Sequence, residues 1–155
     1  METREENEEV LFALDRLRTF SPADIEELAG RALRSRTGKI RICLHHAPGD
    51  LFHEMLVALR REVKYLAQFH PRKEESYCIL KGSLVFSLYG PDGEKTILPL
   101  GDASTGRNCF VRIPAGMSHR FDIDSEVVVF LEAKLGPFSP NDTVIIPDGG
   151  EDDKP

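Results

Sequence analysis

From Lys39 onward the chain is a succession of short β-forming runs, and this limits its fold more than any other feature. The runs are Ile40 to Leu44, Glu54 to Leu59, Val63 to Phe69, Ser76 to Leu80, Leu84 to Tyr89, Thr96 to Leu100, Asn108 to Ile113 and Glu126 to Ala133. Turn chemistry separates them at Ala47-Pro48-Gly49-Asp50, Lys81-Gly82 and Gly90-Pro91-Asp92-Gly93, where Pro fixes φ and Gly supplies positive φ. About eight strands at this spacing predict a small antiparallel barrel or a double-sheet jelly roll.

Helical signals precede the strands. Ser21-Pro22-Ala23-Asp24 places a hydroxyl at the N-cap, proline at the first helical position and an acid at N3, and Ile25, Leu28, Ala29, Ala32 and Leu33 then form an apolar stripe. Residues 1–9 read as a frayed acidic tail. Val10 to Leu17 read as a short helix with Leu11, Leu14 and Leu17 on one side. The expected organisation is therefore a tail and short helix over 1–20, a single domain over 21–147 and a flexible polar tail over 148–155. A chain of 155 residues buries one core of ordinary size.

Composition narrows the function. Hydrophobic residues at 41% and charged residues at 30% fit a globular, soluble chain. A net charge of −6 argues against nucleic acid, whose phosphates need clustered Lys and Arg. The local run Arg31, Arg34, Arg36, Lys39 and Arg41 reads either as a solvated helix end and strand edge or as an anion site. No run approaches a membrane span and the acidic start resembles no signal peptide. Cys43, Cys78 and Cys109 are odd in number and lack a CxxC spacing, which favours reduced thiols in a cytoplasmic setting.

The chemistry concentrates in two segments. Gln68 and His70 lie two apart, so on a strand they share a face. Glu75 follows one short turn later, where a returning strand brings its carboxylate beside them. His119 in Pro114-Ala115-Gly116-Met117-Ser118-His119 completes a set of two imidazoles and one carboxylate, enough to hold a divalent metal with positions left open. No GxSxG, GxGxxG or GxxxxGK competes with this reading.

The spacing Gln68-x-His70, four residues, Glu75, six residues, Gly82, followed by Pro114-x-Gly116-x-x-His119, resembles the two motifs of the cupin superfamily. Arg41 to His45, Asp50 to Met55 and Phe130 to Phe138 resemble the WbuC-type cupin-fold metalloproteins of surface-polysaccharide gene clusters. The resemblance spans roughly residues 21 to 147. It implies a mainly β, cupin-type jelly-roll β-barrel with one or two N-terminal helices. Departures stand at Gln68, where the superfamily has its first His, and at Glu62, Asn108 and Ile123. An amide oxygen is a weaker donor than imidazole, so His70, Glu75 and His119 would hold Fe, Mn, Ni or Zn with Gln68 as a weak fourth ligand.

Further residues take roles by position or by the resemblance. Glu132 and Tyr77 are candidates for proton transfer, although Tyr77 also reads as a core tyrosine with a satisfied hydroxyl. Glu132 and Lys134 share a face with Phe130 and form either a buried pair at the barrel mouth or a surface pair. The resemblance places His45 and His53 near the pocket, whereas His46 faces solvent. Lys73 and Arg72 either attract an anionic substrate or lie in a solvated loop. The leading expectation is a small metalloenzyme, an isomerase or a dioxygenase, acting on a sugar-like or small oxygenated metabolite. Its rival is a non-catalytic ligand-binding cupin, a sensor or storage protein with a degenerate metal site. A homodimer is compatible with both.

Overall fold

The computed structural model describes residues 1–90 and 92–146; the expected polar tail at 148–155 lies outside the described residues. In chain order the elements are β1 (Thr3–Asn7), β2 (Val10–Ala13), α1 (Pro22–Arg34), β3 (Lys39–Cys43), β4 (Phe52–Arg60), β5 (Gln68–Phe69), β6 (Glu75–Lys81) and β7 (Ser83–Tyr89), then β8 (Lys95–Gly101), β9 (Phe110–Ile113), β10 (Ser118–Ile123), β11 (Val127–Leu135) and β12 (Val144–Ile145). They form two sheets, one ordered β1-β2-β3-β4-β11-β6-β9 and the other β12-β5-β10-β7-β8. Among the described residues no helix is long and apolar enough to cross a membrane.

Side-chain parity explains the layers. Along β4, Met55, Val57 and Leu59 enter the core between the sheets, with Tyr77, Phe86, Phe121 and Phe130. The alternate residues Leu56 and Ala58 face outward beneath α1, packing with Leu28, Ala29 and Ala32. A strand buried on both faces needs an unbroken apolar run, and Met55 to Leu59 supply it. The helix starts where its sequence says it must: the Ser21 hydroxyl accepts from the Asp24 N–H at 3.3 Å, and the Asp24 carboxylate accepts from the Ser21 N–H at 2.7 Å.

Three expectations need correction. Residues 3–13 form a hairpin, β1 with β2, rather than a tail and a helix. Leu14 and Leu17 are exposed, so the helical stripe has nothing to bury against, whereas Leu11 and Ala13 alternate into the layer under α1. β2 also pairs in parallel with β3, which satisfies an open backbone edge. The run Val63 to Phe69 is extended chain of which only Gln68 and Phe69 join a sheet. β10 was absent from the predicted runs, although His119, Phe121 and Ile123 are buried and alternate with Arg120 and Asp122.

Two motif glycines have definite structural causes. Gly82 sits between β6 and β7 at φ 77°, and a Cβ there would lie 2.3 Å from the Val127 carbonyl oxygen. Gly116 has φ 81°, and its N–H donates to the His70 carbonyl at 2.8 Å, tying the loop before β10 to the segment after β5.

Candidate metal centre

Both sheets contribute to one point. Gln68 on β5 stands directly across from His119 on β10, so the two leave the five-stranded sheet on the same face. Glu75, the first residue of β6, approaches from the seven-stranded sheet, where it is flanked by Lys134 of β11 and Ile113 of β9. His70, just beyond β5, closes the group. His70 is 5% exposed, Glu75 2% and His119 2%.

The ligating atoms of His70, Glu75 and His119 all lie within 4.8 Å of one another. Glu75 Oε2 is 3.1 Å from His70 Nε2, and Glu75 Oε1 is 2.7 Å from His119 Nε2. These contacts are close but misaligned, so all four atoms are buried without a hydrogen-bond partner. Orphaned polar atoms at such burial are costly. A divalent ion held by the two imidazoles and the carboxylate would satisfy them together.

The opposite ring nitrogens fix the imidazoles. His119 Nδ1 is 3.0 Å from the Met117 carbonyl oxygen, and His70 Nδ1 is 2.8 Å from that of Asp142. A carbonyl only accepts, so each Nδ1 carries a proton; in the neutral ring each Nε2 then presents its lone pair to the shared point, and in the protonated ring it donates toward Glu75. Burial alone would raise the Glu75 carboxyl, but the two imidazoles beside it outweigh burial and hold it well below the usual carboxylate range. The same carboxylate raises His70 against the opposing effect of its own burial.

The remaining expected residues line a cavity of about 450 Å³ that contains Gln68, Tyr77, Glu132, Lys134, His45 and His53 in its walls. Lys134 bridges Glu132 at 2.8 Å, with side chains only 26% and 14% exposed, which selects the inward pair over the surface pair. Tyr77 is packed edge-on by Phe86 and Phe121. Burial first, then the Glu132 and Glu75 carboxylates, push its phenol well above its ordinary value, so it keeps its proton. His45 and His53 stack at 3.9 Å with an interplanar angle of 7°. Burial and then the neighbouring His53 lower His45 and keep it neutral. His46 is exposed, against Arg18.

Lys73 is not free to attract a substrate: its ammonium donates to the Pro137 carbonyl and to the Asp142 carboxylate, each at 2.5 Å. Arg72 is exposed. Beyond Phe138 no sequence motif had marked Ser139 to Thr143, whose Asp142 is clamped by Lys73 and supports His70. Its signal was present: Ser139-Pro140-Asn141-Asp142 repeats the Ser-Pro-x-Asp pattern that starts α1, and it forms a capping box around a single 3-10 turn.

Searches against protein-family profiles and against curated proteins gave no match. Solved structures do match. Oxalate decarboxylase from Bacillus subtilis aligns over 70% of this chain and 27% of its own, with a TM-score of 0.56 and 18% identity. A Shewanella oneidensis protein from a structural genomics consortium aligns over 66% of each chain, with a TM-score of 0.53 and 19% identity. Oxalate decarboxylase from Lactobacillus farciminis, solved with formate, aligns over 63% of this chain and 27% of its own, with a TM-score of 0.51 and 14% identity. The chain thus spans little more than a quarter of the decarboxylases it matches. These likenesses establish a cupin fold, and the buried His-Glu-His cluster gives that fold a site suited to a divalent metal.

Proposed function

We propose that this chain is a metalloenzyme of the WbuC type, with His70, Glu75 and His119 as metal ligands and Gln68 as a weaker fourth. Its substrate is a sugar-like or small oxygenated metabolite, which the family resemblance puts near surface-polysaccharide synthesis in the cytoplasm, and its working form is a homodimer. The observation that carries the reading is the set of four unpartnered buried atoms at one point, with both rings turned by backbone carbonyls so that their lone pairs converge. A divalent ion held there supplies Lewis-acid polarisation of a substrate oxygen.

The chain's own groups divide the remaining work. Glu132, steadied by Lys134, exchanges a proton at its carboxyl group. Tyr77 keeps the proton on its phenol oxygen and offers it as a hydrogen bond. The aromatic core around Tyr77 keeps bulk water from the inner end of the cavity. The donor set distinguishes no single metal among Fe, Mn, Ni and Zn.

Elemental analysis of the purified protein beside the His70→Ala/His119→Ala variant tests the reading. The native protein should carry a transition metal that the variant lacks; equal metal content in both removes the basis for the proposal. A second reading, a ligand-binding cupin without catalysis, is favoured by Gln68, which weakens the donor set. A metabolite that stabilises the protein and is recovered unchanged after prolonged incubation would support it.

A further inference from the structure

The outer part of the cavity has a charge pattern that the metal centre does not use. β3 presents Lys39, Arg41 and Cys43 to the same face, opposite the interior residues Leu59, Val57 and Met55 of β4. Lys39 and Arg41 both line the cavity. Lys39 is half-buried, with its ammonium over the Tyr65 ring at 5.4 Å. Arg41 is exposed, so it stands at the mouth. It belongs to none of the ion pairs found among the described residues.

The anions that line the cavity wall do not balance these cations. Two carboxylates stand in the wall against three cations: Glu132 is paired with Lys134, and Glu9 offsets one of the two cations of β3. One positive charge remains at the rim of a chain whose net charge is −6. A second unpartnered polar group lies in the same wall, at the inner end beside Lys134. His53 lines the cavity and is 5% exposed, yet its Nε2 is buried without a hydrogen-bond partner. Between rim and metal point the walls are ring-bearing and apolar, with Phe12, Tyr65, Phe121 and Phe130. A volume of about 450 Å³ is in the range of sites that enclose a whole small metabolite.

We infer that the ligand of this cavity is an anion, carrying a carboxylate or phosphate that Arg41 and Lys39 hold at the mouth while its uncharged end reaches toward His70, Glu75 and His119. Guanidinium geometry matches both oxyanions through paired N–H donors. The inference rests on the proposed function for the identity of the inner end, but its test is independent of the metal.

The test is thermal stabilisation of the full chain by matched probes at constant ionic strength: glucose, glucuronate, glucose 6-phosphate, and the same comparison with neutral and acidic three-carbon hydroxy compounds. The anionic member of a set should stabilise and its neutral partner should not, and Arg41→Gln should weaken that binding about tenfold or more. The carboxylate and phosphate arms show which oxyanion the rim prefers. Arg107→Gln, which breaks an exposed ion pair with Asp124, controls for a general change in charge. Stabilisation by neutral probes as strong as by anions, no stabilisation by any anion, or an Arg41→Gln response equal to native would each overturn the inference. Metal content is measured on the same samples: native metal content with no anion selectivity defeats the rim alone, whereas anion selectivity in a native protein that carries no more metal than the His70→Ala/His119→Ala variant defeats only the metal reading.

Discussion

Gln68 is the residue on which the strength of the site turns. It occupies the strand position opposite His119 and lines the cavity, which is the basis for proposing its amide as the fourth donor. Gln68→His should therefore tighten metal binding by about tenfold or more, measured by competition with a chromophoric chelator. Unchanged affinity would show that the side chain at 68 is turned from the ion. The three residues of the cluster were legible because strand parity and turn length act locally: His70 follows Gln68 by two, Glu75 opens the next strand, and His119 faces back across the sheet. His45 and His53 were placed near the pocket by resemblance alone. Their stacking depends on how β4 lies against the chain after β3, which no local pattern encodes.

At the scale of elements, the segment from Pro137 to Thr143 acts on the site without contributing a ligand. Lys73 pins it through the Pro137 carbonyl and the Asp142 carboxylate, and the Asp142 carbonyl in turn orients His70. Lys73→Ala should lower metal affinity by about 10–100-fold, the usual cost of losing support behind a ligand, while far-ultraviolet circular dichroism stays native. Arg112→Ala, which removes an exposed pair with Glu74, should leave affinity unchanged; equal losses in both variants would refute a specific role for the clamp. The same scale shows why the N-terminal reading failed. Leu11, Leu14 and Leu17 fit a helical period, but the free edge of β3 offers backbone partners to Val10 through Phe12, and tertiary pairing overrides a weak local preference. α1 was legible because its cap is written in adjacent residues.

For the molecule as a whole, the charges at the centre make stability depend on pH in a way that metal should change. In metal-free protein Glu75 is held below its ordinary value of 4.5, so its contribution is present above that pH and disappears as acid protonates it. His70 is raised above 6.5, so its contribution is complete below 6.5 and is lost as pH climbs through the folded value. Chelator-treated protein should have its highest melting temperature in the mildly acidic window between these limits. Metal-loaded protein should hold its melting temperature into alkaline conditions, because the ion needs deprotonated rings. A chelated sample that grows steadily more stable from neutral to alkaline pH would rule out the His70–Glu75 contact as a determinant.

The carbonyl that steadies His70 comes from Asp142, 72 positions further along the chain. The ring of His70 is therefore fixed only when this distant segment has docked. The imidazole at position 70 is thus oriented by a part of the fold distant from it in sequence, and a cut in the chain between the two would unfix that ring while leaving its strand in place.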